Sequence, residues 1–246
     1  RLGDQDSYTV KTGLVTFKSA FASTVTDVPE YAFLASTNTG AAAANNTTLH
    51  AAVEVNLTGS SGDDTLTMGA NNDTVSGGLG VDTIDGNAGG DVIDGGAGND
   101  ILDYNALADS LSAGGATSPI LYDTVTIGIS TTNKDSIDVA DIAAKAVDTN
   151  SAVPQAVSLT GSTETTVTLL TAAIEAAITG AANEVSLVKV TDAATDTSAD
   201  GNFSGYYLVV NDGTPAIGAS DMLIKLVGIA DTTVVAETGT DIYSFT

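Results

Sequence analysis

"GGLGVDTIDGNAGGDVIDGGAGNDILD", residues 77–103, returns to glycine, then aspartate, then an aliphatic residue every nine positions, and it holds no basic side chain. Carried back to Gly59, the same frame gives five gapless units: "GSSGDDTLT", "MGANNDTVS", "GGLGVDTID", "GNAGGDVID" and "GGAGNDILD". The sixth position is always aspartate (Asp64, Asp73, Asp82, Asp91, Asp100) and the eighth always aliphatic (Leu66, Val75, Ile84, Ile93, Leu102). Glycine reaches positive φ at little cost, so the first half of each unit can turn sharply and bring backbone carbonyls inward. The last three residues then make a short strand whose middle side chain points to one face and its neighbours to the other. The aliphatics are expected to line an interior while Thr65, Thr74 and Thr83 face out, and stacked coils give two parallel sheets with a thin aliphatic seam. A flexible Gly/Asp-rich linker shares the composition but does not keep an aliphatic in strict register.

The rest of the composition narrows the chemistry. At 246 residues and 43% apolar, the chain can bury a core as one large domain or two ordinary ones. Its 31 acidic and 7 basic residues give a net charge of -24, which repels nucleic acid and anionic membrane surfaces and makes cations the natural partners. With no Cys and one His, disulfides, thiolate metal sites, Cys nucleophiles and multi-histidine centres are excluded by counting. No apolar run approaches the roughly 18 residues of a membrane span. The opening "RLGDQDSYTV" lacks the basic start and apolar stretch of a cleaved signal, and Arg1 reads as the start of a piece of a longer protein or of a processed product.

The nonapeptide resembles the RTX (repeats in toxin) family, whose G-G-x-G-x-D-x-U-x units build a parallel β-roll that binds Ca²⁺ in its turns. The resemblance covers residues 59–103 and implies two units per turn, with each ion between a loop and the next but one. On that basis Asp64 pairs with Asp82, Asp82 with Asp100 and Asp73 with Asp91, giving three complete sites and incomplete ones at the ends. Carbonyls of the glycine-rich halves, from Gly59, Ser61, Gly77, Leu79, Gly86, Ala88, Gly95 and Ala97, are expected to complete the shells; such hard oxygens suit Ca²⁺ with its six to eight ligands. The pattern departs at Ser60, Met68 and Asn71, but Asn tolerates positive φ, so the loop 68–73 is expected to survive. A degenerate sixth unit, "YNALADSLS", keeps Asp109 and Leu111 in phase without any glycine, and the chain is expected to leave the roll there.

The expected fold class is mainly β: a parallel β-roll over 53–103, a β-rich flank over 1–52 and an α+β C-terminal cap over 104–246. "VEVNLTG" enters the first unit in phase as a strand. Upstream, "PEYAFLAS" reads as a short helix and "TNTGAAAANNTT" as a loop, and the solitary His50 reads as a surface or structural residue. The zinc peptidase motif H-E-x-x-H is absent from the sequence. After the repeat, "ILYDTVTIGIS" and "EVSLVKV" read as strands, and "DVADIAAKAV" and "TLLTAAIEAAITG" as helices, the second capped by Gly180. "GYYLVVNDGTPAIGASDMLIKLVGI" reads as two apolar strands turning through "NDGT". This half resembles the cap that follows the roll in many RTX exoproteins. In "DAATDTSADGNF", Asp196, Ser198, Asp200 and Gly201 imitate the start of an EF-hand loop, but Tyr207 stands where the closing Glu belongs, which favours a solvated acidic loop.

Nine aspartates and no cationic side chain between residues 59 and 103 repel one another, and ordering the backbone costs about 1–2 kcal/mol per residue. Extracellular modules bind Ca²⁺ with Kd of about 10⁻⁴ to 10⁻³ M, so such a chain is expected to fold outside a cell and not within it. The resemblance implies a type I secretion exporter as partner, an uncleaved C-terminal signal with which "ETGTDIYSFT" is compatible, and an extracellular or bacterial cell-surface location. The Ala-, Thr-, Gly- and Val-rich, Cys-free composition resembles bacterial S-layer (surface-layer) proteins, which use calcium to assemble a lattice. The expectation is a non-enzymatic surface protein that associates with itself. The alternatives are the secretion and folding module of an RTX hydrolase and a segment of an RTX adhesin or toxin.

Overall fold

A computed structural model describes residues 46–48, 56–59, 61–110, 122–142, 146–147, 154–159, 167–178, 184–192, 203–211, 221–239 and 241–246. The repeat unit sets the first elements. β1 (Asn46–Thr48) and β2 (Asn56–Thr58) are followed by β3 (Thr65–Thr67), β4 (Thr74–Leu79), β5 (Thr83–Asp85), β6 (Val92–Ala97) and β7 (Ile101–Asp103), one strand for each unit. Alternate strands pair in parallel, eighteen residues apart: Leu66 with Ile84 and Ile84 with Leu102 on one side, Leu57 with Val75 and Val75 with Ile93 on the other. Leu66, Val75, Ile84, Ile93 and Leu102 are all buried, whereas Thr65 and Thr74 are exposed. The aliphatic seam is therefore where the sequence placed it.

The pairing does not stop at Asp103. The chain passes through a 3-10 turn at Leu107–Ser110 and returns with β8 (Thr124–Thr126) beside β6 and β9 (Ser136–Asp138) beside β7, both parallel and in register. The degenerate sixth unit is not a rung of the roll: the Asp109 carboxylate accepts the amides of Asn105 and Ala106 and caps the 3-10 turn. Leu111 lies outside the described residues.

The remaining elements are β10 (Ala146–Val147), β11 (Gln155–Leu159), α1 (Val167–Ala177), β12 (Glu184–Asp192), β13 (Gly205–Val210), β14 (Met222–Val227), β15 (Val235–Gly239) and β16 (Ile242–Phe245). Two sheets result among the described residues. One runs β1-β3-β5-β7-β9-β16-β15; the other runs β10-β12-β13-β14-β8-β6-β4-β2, with β11 also on β12. One core lies between them, joining the seam to Leu187, Leu208, Ile224, Tyr243 and Phe245. A second core covers the outer face of β12–β14, where Leu170 and Ile174 of α1 meet Val188, Tyr207, Val209 and Leu223. The fold is thus mainly β, with a parallel roll continued by an α+β region.

Two local expectations are corrected. "DVADIAAKAV" does not form a helix in its described part. The Ala140 amide bonds Asp138 Oδ1, Val139 and Ile142 reach the core from a single turn, and Ala146–Val147 pairs with β12 instead. Sheet pairing and two core contacts outweigh helix propensity there. In "TNTGAAAANNTT", Asn46–Thr48 is the strand that pairs with β3. β13 and β14 are antiparallel as expected, and of "NDGT" all but Asn211 lies outside the described residues. The helix at 29–36, His50, Gly180 and the EF-like residues 196–201 lie outside the described residues. Tyr207 is buried in β13 and its hydroxyl donates to the Phe203 carbonyl.

Candidate metal centre

The sixth-position aspartates form two ladders at the turns of the roll. The Asp64 amide donates to Asp82 Oδ1 at 2.8 Å and the Asp82 amide to Asp100 Oδ1 at 2.9 Å; on the other side the Asp73 amide donates to Asp91 Oδ1 at 2.7 Å. The fold thus brings together Asp64 with Asp82, Asp82 with Asp100 and Asp73 with Asp91. All five side chains are buried. The loop 68–73 keeps the arrangement despite its missing glycines, with the Gly69 amide on Asp73 Oδ2 at 3.1 Å. The positive φ among the variant positions falls on Asn87 (54°), which takes the place of a second glycine, and not on Asn71.

The first glycine of each loop sits against its own aspartate. A Cβ on Gly59 would lie 2.6 Å from Asp64 Oδ2, on Gly86 2.5 Å from Asp91 Oδ2 and on Gly95 2.6 Å from Asp100 Oδ2. On Gly77 it would strike Asp82 Oδ2 and lie 2.5 Å from the Gly95 carbonyl oxygen, and Gly59 faces the Gly77 carbonyl in the same way. A carboxylate oxygen and a carbonyl oxygen from successive loops of one stack therefore converge on a cradle that any side chain would fill. The third-position residues are less enclosed: Ser61, Leu79 and Ala97 are exposed and Ala88 is half-buried, and the Ala97 carbonyl accepts the Gly80 amide at 3.0 Å.

The electrostatics of this arrangement are unfavourable as they stand. Oδ2 of Asp82, Asp91 and Asp100 is buried with no hydrogen-bond partner. Burial raises Asp82 to about 6 and Asp91 to about 7 from an ordinary 3.8, opposed by the amide bonds to Oδ1 and reinforced by neighbouring carboxylates, and it raises Asp100 as well. A buried carboxylate with one satisfied and one orphaned oxygen is costly unless a cation meets it. No three Asp, Glu, His or Cys side chains gather at one point among the described residues, and the oxygens that lie beside the carboxylates are backbone carbonyls. That donor set, all hard oxygen, fits Ca²⁺.

Sequence reasoning missed two rungs. The Asp91 amide donates to Asp123 Oδ1 at 2.8 Å and the Asp100 amide to Asp135 Oδ1 at 3.1 Å, and both acceptors are buried. Asp123 is further held by the Tyr104 hydroxyl on Oδ2 at 2.8 Å, and Asp135 by the Gly128 amide on Oδ2 at 2.6 Å. The available signal was "DTVT" and "DSID", which repeat the D-x-U-x end of a unit. They were hidden because neither follows a glycine-rich loop or keeps the nine-residue spacing.

A family model for the RTX calcium-binding nonapeptide repeat matches residues 56–84 and 76–111, with four copies. None of the curated proteins compared matches the chain. Among solved structures, the solution structure of the AlgE6R3 subunit of the Azotobacter vinelandii mannuronan C5-epimerase aligns over 83% of this chain and 92% of its own. The identity is 17% and the TM-score 0.30. The repeat match falls on the strands and loops that carry the two aspartate ladders. The matched segment is similar to RTX calcium-binding nonapeptide repeats, which supports Ca²⁺ as the ion of the roll.

Proposed function

We propose that this chain is the calcium-folded region of a bacterial surface protein of the S-layer kind, exported unfolded through a type I system and ordered by Ca²⁺ outside the cell. The observation that carries the calcium half of this reading is the set of buried, partnerless Oδ2 atoms on Asp82, Asp91 and Asp100, each beside the first glycine of its loop. In this reading Asp64, Asp73, Asp82, Asp91 and Asp100 supply carboxylate oxygens. Gly77 and Gly95 supply the best-placed carbonyls, and Gly59, Ser61, Leu79, Gly86, Ala88 and Ala97 supply the rest. Ca²⁺ binds the folded loops and not the unfolded chain, so it adds stability by mass action and each occupied site favours its neighbours on the same ladder.

Export unfolded is supported by the charge of the roll: nine aspartates without a cationic side chain between residues 59 and 103 oppose folding where calcium is scarce. Among the described residues no helix is long and apolar enough to cross a membrane. The surface-lattice half rests on composition: a Cys-free, acidic, Ala/Thr-rich chain with one His suits a structural, non-catalytic surface. Electron microscopy of the purified chain in millimolar calcium tests it. Ordered sheets or defined oligomers that vanish with chelator are expected; a strictly monomeric particle in calcium overturns the lattice and returns the roll to the hydrolase, adhesin or toxin alternatives.

A further inference from the structure

The loop 128–135, "GISTTNKD", occupies the place of the next loop in the Asp64-Asp82-Asp100 stack, although it has one glycine and is two residues longer than a repeat loop. Two independent sets of hydrogen bonds fix this. The sixth-position ladder continues from the Asp100 amide to Asp135 Oδ1. A fifth-position ladder, in which the Val81 amide donates to Asp63 Oδ1 and the Gly90 amide to Asn72 Oδ1, continues with the Lys134 amide on Asn99 Oδ1 at 2.9 Å. Lys134 and Asp135 therefore stand in positions five and six of a repeat that the sequence does not spell.

Inside this loop Asn133 makes a contact of the kind that Asn87 makes to the Met68 carbonyl. Asn133 Nδ2 donates to the Gly96 carbonyl at 2.7 Å, which ties it to the loop 95–100 and orients the amide. Its Oδ1 is buried, has no partner and lies where a Cβ on Gly128 would stand. Each other loop-opening glycine with an adjacent orphaned oxygen, at Gly77, Gly86 and Gly95, faces an aspartate Oδ2. Asn133 Oδ1 is thus the fourth member of that set, a neutral amide oxygen in place of a carboxylate. Asp100, with 0% of its surface exposed, keeps its unpartnered Oδ2 on the side of Gly95.

We propose that the loops 95–100 and 128–135 enclose a further divalent-cation site, with Asp100, Asp135 and the Asn133 side-chain oxygen as protein donors, closing the stack that the repeats leave open. The proposal rests on the calcium reading of the roll and extends it to residues outside the nonapeptides. Both Asp135 oxygens already accept backbone amides, which makes this the weakest site of its stack for Ca²⁺.

The test is the number of Ca²⁺ ions bound by the full chain at saturation, from equilibrium dialysis, in the wild type, Asn133→Leu and Asn133→Asp. Asn133→Leu is expected to lose one ion. Asn133→Asp, which keeps an oxygen and adds a charge, is expected to keep the full count and to tighten the weakest Kd. An unchanged count in Asn133→Leu overturns the closing site, and so does a lost ion or an unchanged weakest Kd in Asn133→Asp. A wild-type chain that binds no calcium overturns the roll reading as a whole, a result separable from the others.

Discussion

The roll and the cap share both sheets and are held together by different physics. Between residues 59 and 103 each unit offers one aliphatic to the interior, joined only by Met68, no aromatic is present, and the loops bury carboxylates without counter-charge. In β12–β14 both faces are apolar: Leu187, Leu208 and Ile224 pack inward, while Val188, Tyr207, Val209 and Leu223 pack under α1. Buried apolar area stabilises at about 25 cal/mol per Å², in any medium that is mostly water. The orphaned oxygens of the roll oppose folding until a cation meets them. A continuous hydrogen-bonded sheet therefore need not be uniformly stable, because its ladder is only as good as what covers its faces and fills its turns.

The sharpest way to break this contrast is to remove calcium. Hydrogen exchange read by mass spectrometry in excess chelator is expected to show residues 59–103 exchanging as an unfolded chain, with protection retained in 184–192, 205–210 and 222–227. Retained protection in the roll would sink its calcium dependence, and equal loss in both regions would make the molecule a single cooperative unit.

A smaller effect separates members of one ladder. Asp82 Oδ1 accepts an amide of the loop that carries Asp64, while Oδ2 lies beside Gly77 and the Gly95 carbonyl, so Asp82 reaches both neighbouring loops of its stack, whereas Asp64 stands in the first repeat. Calorimetric titration of Asp82→Ala is expected to show two ions lost and of Asp64→Ala one. Equal losses would mean that the ions do not sit between alternate loops.

The smallest effect is that of pH on the calcium-free chain. Burial raises Asp82 to about 6 and Asp91 to about 7, so the folded state holds these protons more tightly than the unfolded state, whose carboxyls titrate near 3.8. The resulting stability is present below about pH 4 and is lost as pH rises through about 6 to 7. In chelator residues 59–103 are expected to regain β signal in circular dichroism at pH 5 relative to pH 7.5; in saturating calcium the order reverses, because protons then compete with the ion. The same order in both media would show that these carboxylates do not meet the metal.

The seam and the spacing of the ladders were legible because each unit repeats its instruction: a three-residue strand has one inward side chain, and a loop with Asp at its end has one inward carboxylate. The cap strands "EVSLVKV", "YYLVV" and "MLIKLV" were legible from their apolar content, although their pairing with β8 and with β11 was not. Ala146–Val147 was misread because Ala-rich segments carry helix propensity whether or not a sheet edge stands beside them.

The sequence alone determined that residues 59–103 coil into a parallel roll and that its ligands are oxygens, since both follow from local periodicity and residue chemistry. Only the tertiary structure decided where the roll ends. Asp123 and Asp135 join the ladders 32 and 35 residues after their partners, and Asn133 fills a loop of the wrong length. Those distances answer to no period, because they are set by the apolar cap that folds the chain back onto the last turn.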